Sequence, residues 1–375
     1  MGYANEPSNM AGGDKFLAQI TEEDLRVLRE DIPKLIEELK SSLHPNAIKI
    51  YNHQVTSKVI SVTVDGGSQP VFPEIPSIGM GLIRVSSASD NLKKLPNEFQ
   101  HIVRFRNLAP VFREDKDTLA KKRQAEMSAL WETPRLQKFS QWTGITLEDI
   151  GTSFLNNPQA FMGIARDLVE WAYICYIVQQ YDDIDIVVVK DGRLEQHGVS
   201  NAFLQKLRGF FHKHNAKVVG VIKSSKLLNG SNGISLLVIA EWIKHLEKQF
   251  YFKVPEELMK YVYLIDRVWN PEHRNEEGDL AGFSFGHRYI GKMYARTFTP
   301  LEAMLNLDIP SYFEQDEQAA RQIVGAIIAN RCLLFGGSFA PTVEAHAKAS
   351  ISDFVRRTVQ DHLIAETGFS YPFST

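Results

Sequence analysis

Residues 58–67 read Lys-Val-Ile-Ser-Val-Thr-Val-Asp-Gly-Gly, and the fold turns on this stretch. Val59, Ile60, Val62, Thr63 and Val64 are β-branched and stiff at χ1, which favours extended backbone. A strand is predicted from Lys58 to Asp65, closed by the turn signal Gly66-Gly67. After a proline-rich turn, Ser77 to Val85 predicts a second strand, so the domain opens on a hairpin.

Working outward, Asn157-Pro158 pairs a helix N-cap with proline at the first helical position, and the helix is predicted to run to about Gln180. Within it, residues 168–178 read LVEWAYICYIV, and Glu170 is the only charge in that window. A helix apolar nearly all round is buried. An unpaired buried carboxylate costs several kcal/mol or neutralises itself, so a metal, an arginine or another cation is expected beside Glu170. The apolar run Ile184 to Val189 predicts a short buried strand ending in Lys190-Asp191-Gly192. Asp65, Glu170 and Asp191 would then be three carboxylates delivered to strand ends and one helix face. Such oxygen-rich pockets suit hard divalent cations and point to a metal-dependent phosphodiesterase.

A helix over Asn201 to His214 and a strand over Ala216 to Ile222 follow, so the order of elements is mixed α/β, with no internal repeat and no dinucleotide fingerprint. Lys223 and Lys226 just after that strand are candidate phosphate contacts, and ordinary exposed strand-end lysines are an equal reading. The spacing of a nucleotide-binding phosphate loop is missing there. Further on, helices are predicted over Gly233 to Gln249 and Gln318 to Phe335, and a strand over Arg288 to Phe298. The last helix is predicted over Pro341 to Asp361, with His346 in its second turn. A single histidine is usually structural.

The chain has 375 residues, 44% hydrophobic and 23% charged, which is globular material for one elaborated domain or two smaller ones. A net charge of −3 gives no global basic signal, so contacts with nucleic acid must come from local patches. Cations gather between about 86 and 157, a segment read as an insertion and either a solvated surface or a phosphate-tracking wall. Cys175 and Cys332 lie in apolar runs, as reduced core thiols do. No signal peptide or membrane span is legible, and a soluble cytoplasmic protein is expected. At the N-terminus a lead of about 20 residues precedes Thr21-Glu22-Glu23-Asp24, a capping box. Leu25, Leu28, Ile32, Leu35, Ile36, Leu39 and Leu43 continue as a stripe, with Pro33 a kink, packed on its own domain or on a partner. The expected organisation is an N-terminal lead and helix over 1–45, a main domain over 46–365 and a tail over 366–375.

Taken in order, these motifs resemble the NurA nuclease family. The pattern comprises Val64-Asp65-Gly66-Gly67, then Glu170 on a helix about twenty residues before Asp191-Gly192. The strand 218–222 running into Lys223-Ser224 follows, and then the helix Pro341 through Ala345-His346. The resemblance spans residues 50–365 and implies a ribonuclease-H-like mixed sheet flanked by helices. Glu126 and Glu132 are rival glutamates for the helix position.

The resemblance also implies a manganese- or magnesium-dependent nuclease acting on DNA ends, a homodimer docked on a hexameric HerA-type ATPase, and a setting in DNA end processing or phage defence. Asp65, Glu170 and Asp191 would hold two divalent ions about 4 Å apart, with His346 a further ligand or a proton-transfer group. Two alternatives stay open: a catalytically silent subunit that contacts DNA or the motor, and a ribonuclease-H-like enzyme acting on RNA.

Overall fold

The computed structural model describes residues 20–31, 33–34, 37, 60–75, 79–89, 91–92, 94–104, 116–151, 158–192, 194, 199–222, 250–253, 286–292, 304–313, 317–329 and 340–368. Its centre is an eight-stranded mixed sheet of order β3-β2-β1-β4-β5-β8-β7-β6. The strands are β1 (Ile60–Pro70), β2 (Met80–Ala88), β3 (Phe99–Arg104), β4 (Ile186–Asp191), β5 (Lys217–Ile222), β6 (Phe250–Lys253), β7 (Gly286–Lys292) and β8 (Met304–Pro310). β3, β2 and β1 form an antiparallel meander, and β1, β4 and β5 are parallel. β8 returns antiparallel to β5, and β7 and β6 continue antiparallel beyond it. An antiparallel meander joined through its first strand to parallel strands is the ribonuclease-H-like arrangement.

The helices are α1 (Glu22–Arg26), α2 (Lys116–Trp131), α3 (Pro134–Thr143), α4 (Pro158–Gln180), α5 (Asn201–Lys213), α6 (Glu317–Ala329), α7 (Ala340–Ala349) and α8 (Asp353–Thr367). The parallel pairing of β1 with β4 requires a long crossover, and α4 supplies its buried part. Successive strand residues point to opposite faces, and the two cores divide accordingly. Val62, Val64, Val188 and Val218 join the larger core with α2 to α5, where Phe139, Phe161, Trp171, Tyr173 and Phe211 are buried. Val187, Val189, Val219 and Val221 face the other way, onto Ile323, Val324 and Ile327 of α6. Cys175 is buried and unbridged within α4.

Several boundaries differ from the sequence expectation. β1 does not end at Asp65 but continues through Gly66-Gly67 to Pro70, paired with β2 throughout. The two glycines are there for close approach rather than for a turn. An added Cβ at Gly67 would lie 2.2 Å from the carbonyl oxygen of Ala349, and one at Gly66 2.4 Å from Oε1 of Glu170. β3 and α2 both fall within 86–157, so that segment contributes the sheet's edge strand. The single helix expected over Pro341 to Asp361 is two, because Ser352 caps α8 by accepting from the Val355 amide.

The capping box at Thr21 is formed, with the Asp24 amide donating to Thr21 and the Thr21 amide to Asp24. None of the residues of α1 or of the following π-helical turn, Val27–Asp31, is buried. Most of the leucine-rich stripe beyond it, the helix expected over 233–249, and Cys332 lie outside the described residues. No described helix is long and apolar enough to cross a membrane.

The close approach at Gly67 is testable by stability. Gly67→Ala should destabilise the protein by about 1–3 kcal/mol, the usual cost of overpacking, because the obstructing atom belongs to backbone. Gly163→Ala, in the middle of α4 with nothing near the added methyl, should instead stabilise by about 0.5–1 kcal/mol. Urea unfolding of the two variants measures both.

Candidate metal centre

Asp65 lies on β1 and Asp191 is the last residue of β4, on neighbouring parallel strands. The register pairs Val64 with Lys190, so Asp65 and Asp191 lie level and point to the same face of the sheet. α7 packs on that face against β1 and β2 and is anchored there by Ser86 Oγ, which donates to the Ala345 carbonyl. This seats His346 over Asp65, with Nδ1 2.7 Å from Oδ2. A carboxylate only accepts, so Nδ1 is the donor in this contact and Nε2 takes no part in it. One ligand atom each from Asp65, Asp191 and His346 lies within 4.8 Å of the others. Asp65 is buried, Asp191 half-buried and His346 exposed, so the cluster opens to solvent on the imidazole side.

Glu170 lies elsewhere. It reaches the sheet from α4, on the opposite face, at the gap left by the missing side chain of Gly66. Lys190 precedes Asp191 and therefore points to that same opposite face, where its Nζ lies 2.9 Å from Glu170 Oε2. Arg166, one helical turn before Glu170, places Nε 3.5 Å from Oε1 and also pairs with Asp167 at 2.6 Å. The structure thus brings together Asp65, Asp191 and His346, and gives Glu170 the lysine and arginine that a buried carboxylate needs. Beyond the Lys190 ion pair, buried Oε2 has no hydrogen-bond partner among the described residues.

Electrostatics follow from burial. Desolvation pushes the Glu170 carboxyl up to about 7, against the pull of Lys190 and Arg166. For Lys190, burial works against the charged form, but the Glu170 and Asp167 carboxylates outweigh it and raise the ammonium's pKa. Arg166 is likewise desolvated and is held charged by Asp167, Glu170 and Asp65.

His346 stands in the last turn of α7, not near its start, so the positive end of the helix dipole does not act on the ring. Glu126 accepts from the Arg104 amide at the far edge of the sheet, and Glu132 follows α2 directly. Neither joins the cluster. Lys223 and Lys226 lie outside the described residues.

The sequence reading did not single out Arg166, Lys190 as a partner of Glu170, or Asp308. Asp308 is buried on β8 and accepts from the Leu194 amide at 3.0 Å, tying the segment after Asp191 to the sheet. Its signal was the same as that of Glu170: one carboxylate inside an apolar run, here Leu307-Asp308-Ile309. A cavity of about 220 Å³ lies at the other end of the sheet, where β4 and β5 begin. It is lined by Asp182, Asp183 and Asp185, of which Asp182 pairs with His214 and Asp185 with Lys217.

Comparison with solved structures gives several alignments over nearly the whole chain. The NurA nuclease from Sulfolobus solfataricus aligns with 94% of this chain and 98% of its own, at 13% identity and a TM-score of 0.41. NurA bound to dAMP and manganese aligns with 93% of this chain and 97% of its own, at 12% identity and a TM-score of 0.37. The catalytic domain of human Endonuclease V aligns with 91% of this chain and 99% of its own, at 13% identity and a TM-score of 0.30. No protein-family model matches the sequence, and no curated protein does.

The buried glutamate makes a pH prediction with a definite sign. Between its ordinary value of 4.5 and about 7, the folded state keeps a proton on Glu170 that the unfolded chain releases. The contribution of this group to stability is therefore greatest below about pH 4.5, declines as pH rises through that window, and is level above about pH 7. Glu170→Gln should remove that part of the pH dependence. Denaturant unfolding of both proteins on either side of the window measures it, and parallel curves would contradict the assignment.

Proposed function

We propose that the protein is a divalent-metal-dependent nuclease that hydrolyses phosphodiester bonds in DNA, with Asp65, Asp191 and His346 as its metal ligands. The observation that carries this reading is the convergence of two carboxylates and an imidazole from three separate elements within 4.8 Å, on one face of the sheet and open to solvent. Two carboxylate oxygens and one imidazole nitrogen suit Mn²⁺, and the oxygens alone would admit Mg²⁺. A bound ion would polarise the phosphate and lower the pKa of a coordinated water.

The remaining contributions belong to the chain. β1 and β4 hold the two carboxylates rigid, because both strands are central and Asp65 is packed beneath α7. Asp65 orients the imidazole through Nδ1, which leaves Nε2 as the nitrogen that would ligate the ion. The exposed side of the cluster gives a polymer backbone access that an enclosed pocket would refuse. The Glu170, Lys190 and Arg166 network beneath the sheet supports the strand ends from the other face.

In keeping with the family resemblance, the reading extends to DNA ends as substrate, to a homodimer, and to a hexameric HerA-type ATPase as the motor partner in end processing or phage defence. Lys223 and Lys226 are proposed contacts to the phosphate backbone.

The test is cleavage of labelled single- and double-stranded DNA and RNA with Mn²⁺, Mg²⁺ or chelator. Asp65→Asn and Asp191→Asn should each abolish DNA cleavage while the variants stay folded. His346→Ala should lower the rate by about 10² or more with DNA binding retained, since loss of a ligand costs at least as much as loss of an outer-shell partner. Near-wild-type cleavage by a folded Asp65→Asn or Asp191→Asn protein would refute the assignment. Preferential cleavage of RNA would move the substrate class.

A further inference from the structure

The acidic groups around β1 and the end of β4 are not equivalent. Asp65 and Asp191 face α7, while Glu170 and Asp167 lie on the α4 side with Lys190 and Arg166. Lys190 Nζ touches Glu170 on one side and sits over the Trp171 ring, 5.5 Å from its centroid, on the other. Its side chain is only 7% exposed and that of Glu170 only 3%. A lysine so enclosed does not swing out to meet substrate. It is a fixed positive charge, placed one residue from a metal ligand and against the remaining carboxylate.

We propose that the Lys190 ammonium stands where a second divalent ion would otherwise be held, so that the site loads one ion, on Asp65, Asp191 and His346, and Glu170 is the counter-charge of the lysine rather than a ligand. The inference rests on the metal-site reading above and fixes its stoichiometry, against the two ions expected from sequence. Electrostatics point the same way. A second ion held by Glu170 would bring further positive charge against two fixed cations, Lys190 and Arg166, at a cost that low dielectric makes large. Sheet geometry separates the two carboxylates, because Glu170 and Asp191 approach from opposite faces, so Glu170 is not a ligand of the ion held by Asp191 and could hold only a separate one once Lys190 is gone. Lys190 is thus a positioning residue. It holds Glu170 and, through β4, the backbone that presents Asp191.

The experiment is titration of Mn²⁺ alone into metal-free full-length protein, followed by calorimetry for stoichiometry and by electron paramagnetic resonance for spin coupling between ions. Wild type should take up one ion with an uncoupled spectrum. Glu170→Gln should also bind one ion, with affinity within about tenfold of wild type, the lower end of what outer-shell changes cost. Lys190→Met frees the Glu170 carboxylate and should gain a second, weaker ion, which the double variant K190M/E170Q loses again. The proposal is overturned if wild type binds two coupled ions, if Glu170→Gln loses an ion or more than about tenfold in affinity, or if folded Lys190→Met still binds one. Should Lys190→Met not fold, the wild-type and Glu170→Gln titrations decide alone. Absence of any Mn²⁺ binding by wild type would instead overturn the metal centre itself, a result distinct from binding of two.

Discussion

The two-residue alternation of β1 and β4 is the constraint on which the rest depends. Asp65 and Asp191 share one face because they lie level on adjacent parallel strands, and Gly66 and Lys190, each one residue away, share the other. A shift of one residue in either strand would exchange the metal-facing carboxylate for a glycine or a lysine. Register is held by valines that alternate between two cores, Val62, Val64 and Val188 on one side and Val187 and Val189 on the other. The hydrophobic pattern of the strands and the chemistry of their ends are therefore one constraint.

The glycine pair at 66–67 carries that constraint into three dimensions. Gly66 admits the Glu170 carboxylate and the Arg166 side chain from below, and Gly67 the C-terminal turn of α7 from above. The second contact brings α7 close enough for His346 to reach Asp65. Further ties fix the same region: Arg84 donates to the Ser350 carbonyl, Gln69 to Asp353, and Arg356 to the Val71 carbonyl. The C-terminal helices are thus strapped to the long β1–β2 hairpin, and the imidazole is carried by an element whose position that hairpin sets.

Much of this was legible in the sequence, for physical reasons that differ from element to element. The helix from Pro158 to Gln180 could be read because proline at its first position and an unbroken apolar run coincide. β4 and β5 could be read as continuous β-branched runs, as central parallel strands are. Glu170 announced a buried partner because desolvation demands one, but the partner could not be named, since Lys190 is distant in sequence and ordinary in context. Gly66-Gly67 misled, because local propensity cannot distinguish a glycine that turns from one that makes room. β3 was missed because its residues, Phe-Gln-His-Ile-Val-Arg, are only partly buried at the sheet edge and show little alternation. The break at Ser352 was present as an N-cap signal, but the apolar periodicity on either side hid it.

The central claim is that the ion site belongs to one face of the sheet. It is tested most directly by anomalous diffraction at the manganese edge from crystals of the full-length protein soaked in Mn²⁺. The account predicts a single anomalous peak among Asp65, Asp191 and His346, with Glu170 still paired to Lys190. A peak coordinated by Glu170, or a pair of peaks bridged by Asp65 with Lys190 displaced, would contradict it.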